Sequence, residues 1–284
     1  MRGLGCPDDS AWMRLLPILV FALIPLAASA AGTRGVTRAD LSYQAYALGL
    51  HILNLNAYFG LGPWNYQIDA KFRTTGLASL FNSGHDFLTV RGHWQDGRAA
   101  PEQFVSEGEW RGTPHRVVVD YGTRPEVRTL LPPNPRDREP VPLALQAGSS
   151  DLLSALATLV HRVTETGSCE TVARVYDGRT FSILASRSAG SQVLARTGRS
   201  SFSGPALRCE FQGRVVAGFR AGHQPDTQRP TLHGSVWLAD AMAPSSAPVP
   251  VRISCDTRWF GEITLYLTKA APATGGYQQA NSRY

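Results

Sequence analysis

The chain has 284 residues, 43% of them hydrophobic, and a formal net charge of +6. That composition excludes a disordered or fibrous chain and permits a sizeable core. Lysine occurs only at Lys71 and Lys269, so the basic charge rests on arginines; they are scattered, with no run of five basic residues, which argues against a nucleic-acid partner.

Residues 1–30 read as a secretory signal peptide. Arg14 precedes the apolar run Leu15 to Ala27, and Ala28-Ser29-Ala30 supplies a small-x-small cleavage pattern. The run is about thirteen residues, against the roughly twenty of a spanning helix, and Pro17 and Pro25 interrupt it. Asp8 and Asp9 are out of place ahead of such a run and point to initiation at Met13. Cys6 lies upstream of the run and so is not a lipid-accepting cysteine. Cleavage after Ala30 predicts a periplasmic protein without a stable membrane span, and leaves roughly 250 residues, enough for one large β domain.

The expected organisation is a single β-rich domain over 31–269, in two halves joined by a proline-rich crossover at 131–149, followed by a disordered tail at 270–284. The clearest strand is Trp64 to Arg73, where Trp64, Tyr66, Ile68, Ala70 and Phe72 alternate with Asn65, Gln67, Asp69, Lys71 and Arg73. Such alternation predicts an antiparallel strand with one apolar and one wet face. Leu53, Leu55, Ala57 and Phe59 repeat the pattern, and Leu41 to Leu48 is a weaker strand. Further strands are expected at 87–95, 102–110, 116–121 and 126–130, with turns at Gly60 to Pro63, Asn82 to Gly84, Asp96-Gly97 and Gly112 to Pro114.

The crossover holds Pro132, Pro133, Pro135, Pro140 and Pro142, which cannot donate to a ladder. It leads into the one expected helix, Asp151 to Thr164. There Leu152, Leu156, Leu159 and Val163 recur at helical spacing, Ser150 is the expected N-cap, and Gly167 is a stop. Strands are then expected at 171–176 and 180–185 around Asp177-Gly178, a hairpin signal. Others follow at 192–196, 201–211, 215–220, 234–238, 249–255 and 259–267.

Beyond the leader the cysteines are Cys169, Cys209 and Cys255. Export places them where disulfides persist, and an odd count leaves one free or joins it to another chain. The expected pair is Cys169 with Cys209, whose loop of about forty residues corresponds to about 4 kcal/mol of stabilisation. The absence of C-x-x-C spacing argues against a metal site.

The sequence holds no G-x-S-x-G elbow, no phosphate loop and no H-E-x-x-H pair. Glu107 and Glu109, two apart on one strand, and His85, Asp86 and His93 imitate catalytic or ligating sets, but solvated strand faces and turns account for them. Asp120 and Tyr121 close a strand, and His161 with Glu165 makes a helix-surface pair. Trp94, Trp110, Trp237 and Trp259 fall on other strands and read as core.

Several stretches taken in order resemble one family. They are Asp151 to Leu156 opening the helix, Gly167-Ser168-Cys169, Val175 to Arg179, Phe202 to Ala206 with Cys209, Gly234 to Leu238, Pro248 to Arg252 and Phe260-Gly261. The pattern is similar to the exported bacterial proteins of domain-of-unknown-function family 3108, over roughly residues 40 to 268. The resemblance implies a periplasmic, β-rich protein, supports the Cys169–Cys209 pair, and brings no catalytic residues with it.

The fold class expected is therefore mainly β: an antiparallel curved sheet, open barrel or sandwich, with one amphipathic helix packed on it. No catalytic residue, cofactor or metal ligand is expected. The expected role is a non-enzymatic binding or carrier protein for a lipid or other amphipathic envelope molecule. Its candidate apolar wall is Trp64, Tyr66, Ile68, Phe72, Leu152, Leu156 and Leu159, with the helix as lid and arginines at the rim. The alternatives are a cell-envelope assembly or scaffold factor with a protein partner, and a hydrolase using Glu107, Glu109 or the His85/His93 region.

Overall fold

Alternating apolar residues build this molecule strand by strand. The computed structural model describes residues 37–76, 79, 83–134, 136, 138–220, 231–242, 246–257 and 261–273. The predicted signal peptide, Trp259 and the expected tail from residue 274 onward lie outside the described residues. The first seven strands are β1 (Thr37–Ala47), β2 (Leu50–Leu61), β3 (Asn65–Thr74), β4 (Gly84–Gln95), β5 (Arg98–Trp110), β6 (Thr113–Asp120) and β7 (Glu126–Leu131). A one-turn helix α1 (Leu143–Gln146) and the main helix α2 (Leu152–Thr166) follow. The chain continues with β8 (Thr171–Tyr176), β9 (Phe181–Leu194), β10 (Gly204–Ala217), β11 (Thr231–Ala239), β12 (Val249–Thr257) and β13 (Gly261–Pro272).

All thirteen strands enter one antiparallel sheet in the order β7-β6-β5-β4-β3-β2-β1-β13-β12-β11-β10-β9-β8. Each half of the chain is a run of neighbouring hairpins, and β1 pairs with β13 to weld the halves together. That pairing carries β13 to Pro272, so residues 270–272, expected as tail, are ladder. Two-residue turns close several hairpins: Leu48-Gly49, Asp96-Gly97 and Arg111-Gly112 all have positive φ at both positions, the geometry that matches strand twist. The strands expected separately at 180–185 and 192–196 are one strand, β9, and the pieces expected at 201–211 and 215–220 form β10.

The sheet curls until its two edge regions meet. The Tyr121 hydroxyl, just beyond β6, donates to the Tyr176 carbonyl at the end of β8 (2.5 Å). At the β8–β9 turn, a Cβ on Gly178 would lie 3.1 Å from Val117 of β6. Between these edges runs the crossover. It is pinned to the end of β10 by the Glu139 N–H to Phe219 carbonyl bond. Val141 packs with Tyr176, Phe181 and Ala217 in a small second core.

Helix α2 lies inside this curl and packs against β3, β4, β5 and β8. Its buried residues, Ser154, Ala155, Ala157, Leu159, Val160 and Val163, point round most of its circumference at 100° per residue. A helix lying on a flat sheet would bury one stripe only. The N-cap is Asp151, whose carboxylate accepts from the Ser154 N–H. Ser150, the expected cap, is instead paired with β8: its N–H donates to the Arg174 carbonyl and its carbonyl accepts from the Tyr176 N–H. Gly167 ends the helix in the left-handed conformation, φ 69°. Two residues later Cys169 is joined to Cys209 of β10, and Cys255 on β12 is unpaired. No helix among the described residues is long and apolar enough to cross a membrane.

Candidate functional site

The inward face of the sheet is read from its ladders. One cross-strand row runs Ala39, Phe59, Ile68, Val90, Phe104, Val119, and every member is buried, from 0% to 6% exposed. This row lies beside α2. Two steps along the strands the row is Tyr43, Leu55, Phe72, Asp86, Gly108, His115. There Leu55 and Phe72 are only half-buried. The second half of the sheet repeats the gradient: Leu267 and Val251 are buried, whereas Leu265, Ile263 and Ile253 on the same strands and face are half-buried. Leu53 and Leu88 complete this half-exposed set. The helix fills one end of the curled sheet. Beyond it the apolar lining continues as partly covered side chains, with Leu55, Leu88, Ile253 and Leu265 at the margin of the main core, and this partly covered stretch is the trough.

The expected wall residues divide accordingly. Tyr66, Ile68 and Leu159 lie in the shared core of helix and sheet, with Leu156 packed against it. They touch one another as core, so the helix is a plug seated in the sheet rather than a lid over a hollow. Phe72 belongs to the open trough and its ring lies 5.9 Å from that of Trp110. Trp64 and Leu152 are corrections, being 81% and 57% exposed. Trp64 stands one residue before β3, in a turn closed by the Gly62 N–H to Asn65 carbonyl bond, so the alternation does not reach it. Leu152 opens α2 on the side away from its buried cap. Asp69 is the opposite correction: expected on a wet face, it is fully buried and accepts from Thr89 and Gln67.

Two polar networks interrupt the inward face. At the filled end the Ser154 hydroxyl donates to Asp151 and meets the Tyr66 hydroxyl at 2.7 Å. Burial raises the pKa of Asp151 and of Tyr66 above their ordinary values. Ser154 is fully buried, so this set fastens the start of the helix to β3 and offers nothing to a substrate. Beside it Trp94 stacks on His161 at 4.2 Å and lies tilted against Tyr66 at 5.1 Å.

At the trough, Asp86 accepts from Ser106 (3.3 Å) and lies 3.0 Å from His115 Nε2. Burial raises the Asp86 pKa, against the lowering influence of His115. The carboxylate stands between serine and histidine, so His115 does not touch the serine oxygen and the serine-to-histidine bond of a hydrolase triad is not formed. The sequence hid this trio because Asp86, Ser106 and His115 meet only through ladder register. Gly108 between Asp86 and His115 was the available signal: a Cβ there would sit 2.1 Å from the His85 carbonyl.

The other expected sets are not assembled. Glu107 pairs with Arg116, while Glu109 and His85 are exposed outward neighbours across β4 and β5. His93, eight residues along β4, lies 3.5 Å from Glu102. His161 faces Trp94 rather than Glu165.

A family model described as "Protein of unknown function (DUF3108)" matches residues 56–268. No curated protein matches the chain. Among solved structures, the chain is similar to a β-barrel-like protein of domain of unknown function DUF1849 from Brucella abortus. That match has 9% identity and a TM-score of 0.48, covering 85% of this chain and all of the other. It is also similar to a protein from Parabacteroides distasonis described as a "putative lipoprotein", at 9% identity and a TM-score of 0.34, over 83% and 95% of the two chains. No residue role is taken from either.

Proposed function

We propose that this chain, which belongs to the DUF3108 family, is an exported, non-enzymatic carrier that holds the apolar part of a lipid or amphipathic envelope molecule in its open trough. The observation that carries this reading is the burial gradient on the inward face: the same apolar alternation is sealed beside α2 and half-exposed beyond it at Leu53, Leu55, Phe72, Leu88, Ile253 and Leu265. Covering such side chains gains about 0.8 kcal/mol per buried methylene of a ligand. The Cys169–Cys209 bond is of the kind that persists in oxidising compartments. Together with the predicted cleavage after Ala30 it supports the periplasm as the working compartment, with residues 31–269 acting as one domain.

The test is native mass spectrometry of the chain purified from its envelope fraction without detergent. A co-purifying amphiphile is expected, and Leu55→Asp with Leu265→Asp is expected to abolish it while leaving the fold intact by circular dichroism. A ligand-free protein that takes up no fatty acid or phospholipid on titration overturns the reading.

A second reading, an envelope scaffold factor, is favoured by one observation: β7 is an outer strand of an unclosed sheet, the other outer strand β8 being partly paired by Ser150, and an edge strand can accept a partner's strand. Crosslinking in cells separates the two readings, since a single protein adduct at β7 supports the scaffold and lipid adducts alone support the carrier.

A further inference from the structure

We propose that the outward face of β10 to β13 carries a phosphate-binding pocket built on Arg208 and Arg252. It lies on the other side of the sheet from the trough and does not depend on it. The residues meet through register: Arg208 is opposite Trp237, Trp237 opposite Arg252, and Arg252 opposite Tyr266. Arg208, Trp237 and Arg252 line a pocket of about 670 Å³, and Tyr266 stands beside Arg252. Both guanidinium groups are held over the Trp237 ring, Arg208 at 5.4 Å and Arg252 at 5.0 Å from its centre, and Arg252 also lies 5.0 Å from the centre of the Tyr266 ring. The indole is 6% exposed, and its N–H donates to Gln192 at 2.8 Å. It is therefore a fixed floor that gathers two cations.

Gathering like charges is unfavourable unless an anion answers them. Arg208 has such an answer in Glu210 (3.2 Å), which Arg187 shares at 2.7 Å. Arg252 forms no ion pair among the described residues, and its buried Nε makes no hydrogen bond. Two hydroxyls extend the donor set. Ser235 accepts from Arg208 Nε (3.2 Å) and Tyr266 accepts from Arg252 (3.2 Å), so each keeps its own hydrogen to donate. The guanidinium N–H groups not used in these contacts, together with the two hydroxyls, suit the several acceptor oxygens of a phosphate better than the two of a carboxylate. The acids that line the same pocket set its polarity. Glu210 is neutralised by its two arginines, while Asp256 and Glu262 face each other across β12 and β13, about 13 Å along the strand from Arg252. The phosphate enters at the arginine end.

The phosphate belongs either to a small soluble ester or to a lipid headgroup, and titration of the exported chain distinguishes them. Glycerol 3-phosphate is expected to bind saturably by calorimetry and to perturb tryptophan emission, whereas glycerol does neither. Arg252→Gln and, separately, Arg208→Gln are expected to weaken binding about tenfold or more, and Arg98→Gln, at the start of β5, to leave it unchanged. Binding of phosphatidylglycerol vesicles but not of glycerol 3-phosphate, lost in Arg252→Gln, supports the pocket with a lipid source. The proposal is overturned if neither probe binds, if lactate binds as tightly as glycerol 3-phosphate, or if both glutamine variants, folded by near-ultraviolet dichroism, bind like the parent. None of these results bears on uptake of a neutral amphiphile by the trough.

Discussion

The filled and open ends of the inward face are made of the same kind of strand, with the same period-two alternation of valine, leucine, isoleucine and phenylalanine. They differ in one neighbour. Where α2 is present, Phe59, Ile68 and Val90 are at most 3% exposed; where it is absent, Leu55, Phe72 and Leu88 on the same strands remain half-exposed. Alternation decides which face is apolar, and a non-local partner decides whether that face is sealed core or partly covered. The contrast is what makes a trough out of a pattern that otherwise reads as packing.

The contrast can be broken most severely by untying the helix. Replacing Cys169 and Cys209 together with serine opens a loop of sequence separation 40 and is expected to lower stability by about 4 kcal/mol, read as a shift of the denaturant midpoint. A shift equivalent to less than about 1 kcal/mol would mean that packing alone holds the plug. Next in size, Leu159→Ala at the filled end is expected to lose about 3 kcal/mol, while Leu265→Ala at the open end loses about 1–2 kcal/mol because it packs at the margin of the core and is only partly covered. Equal losses would remove the distinction between the two ends.

The cap sharpens the comparison. Asp151→Ala leaves the Ser154 N–H without its acceptor and is expected to cost about 1–2 kcal/mol. Burial raises the Asp151 pKa above 3.8, so the folded chain holds this proton more firmly than the unfolded one. Its part of the stability is present at low pH and falls as pH rises through the folded pKa. Asp151→Asn is therefore expected to flatten that fall in a pH series of unfolding midpoints; an unchanged slope would refute it. The smallest effect belongs to Trp64→Ala. Its side chain is 81% exposed, and the change is expected to stay within about 0.5 kcal/mol in the same assay.

Much of this arrangement was legible in the chain itself. The β-rich class, the run of hairpins, the helix with its Gly167 stop and the Cys169–Cys209 bond all follow local patterns or the family resemblance. The misreadings share a cause. Ser150 looked like a cap because serine commonly is one, but β8 takes its backbone groups, and no local pattern contains that. Trp64 continued an alternation on paper after the ladder had ended. Asp69 sits on the face expected to be wet, yet it is enclosed and satisfied by Thr89 and Gln67. The half-exposed trough was the least legible feature, because Phe72 and Ile68 are equivalent in sequence and differ only in their distance from α2. The row Arg208, Trp237, Arg252, Tyr266 was equally hidden, since its members are spread over four strands.

The way the main helix is moored has a mechanical consequence. Its first turn is bolted to β3 through Ser154 and Tyr66, and its exit is riveted to β10 by a covalent bond. A rod anchored at both ends is held in place, so under the proposed carrier reading it does not swing aside. On that reading, widening comes from the staves, by a parting of β7 from β8 along a seam that has no ladder and is bridged by side chains, Tyr121 to Tyr176 and Arg179 to Pro132 and Asn134, with the helix standing as a post between them.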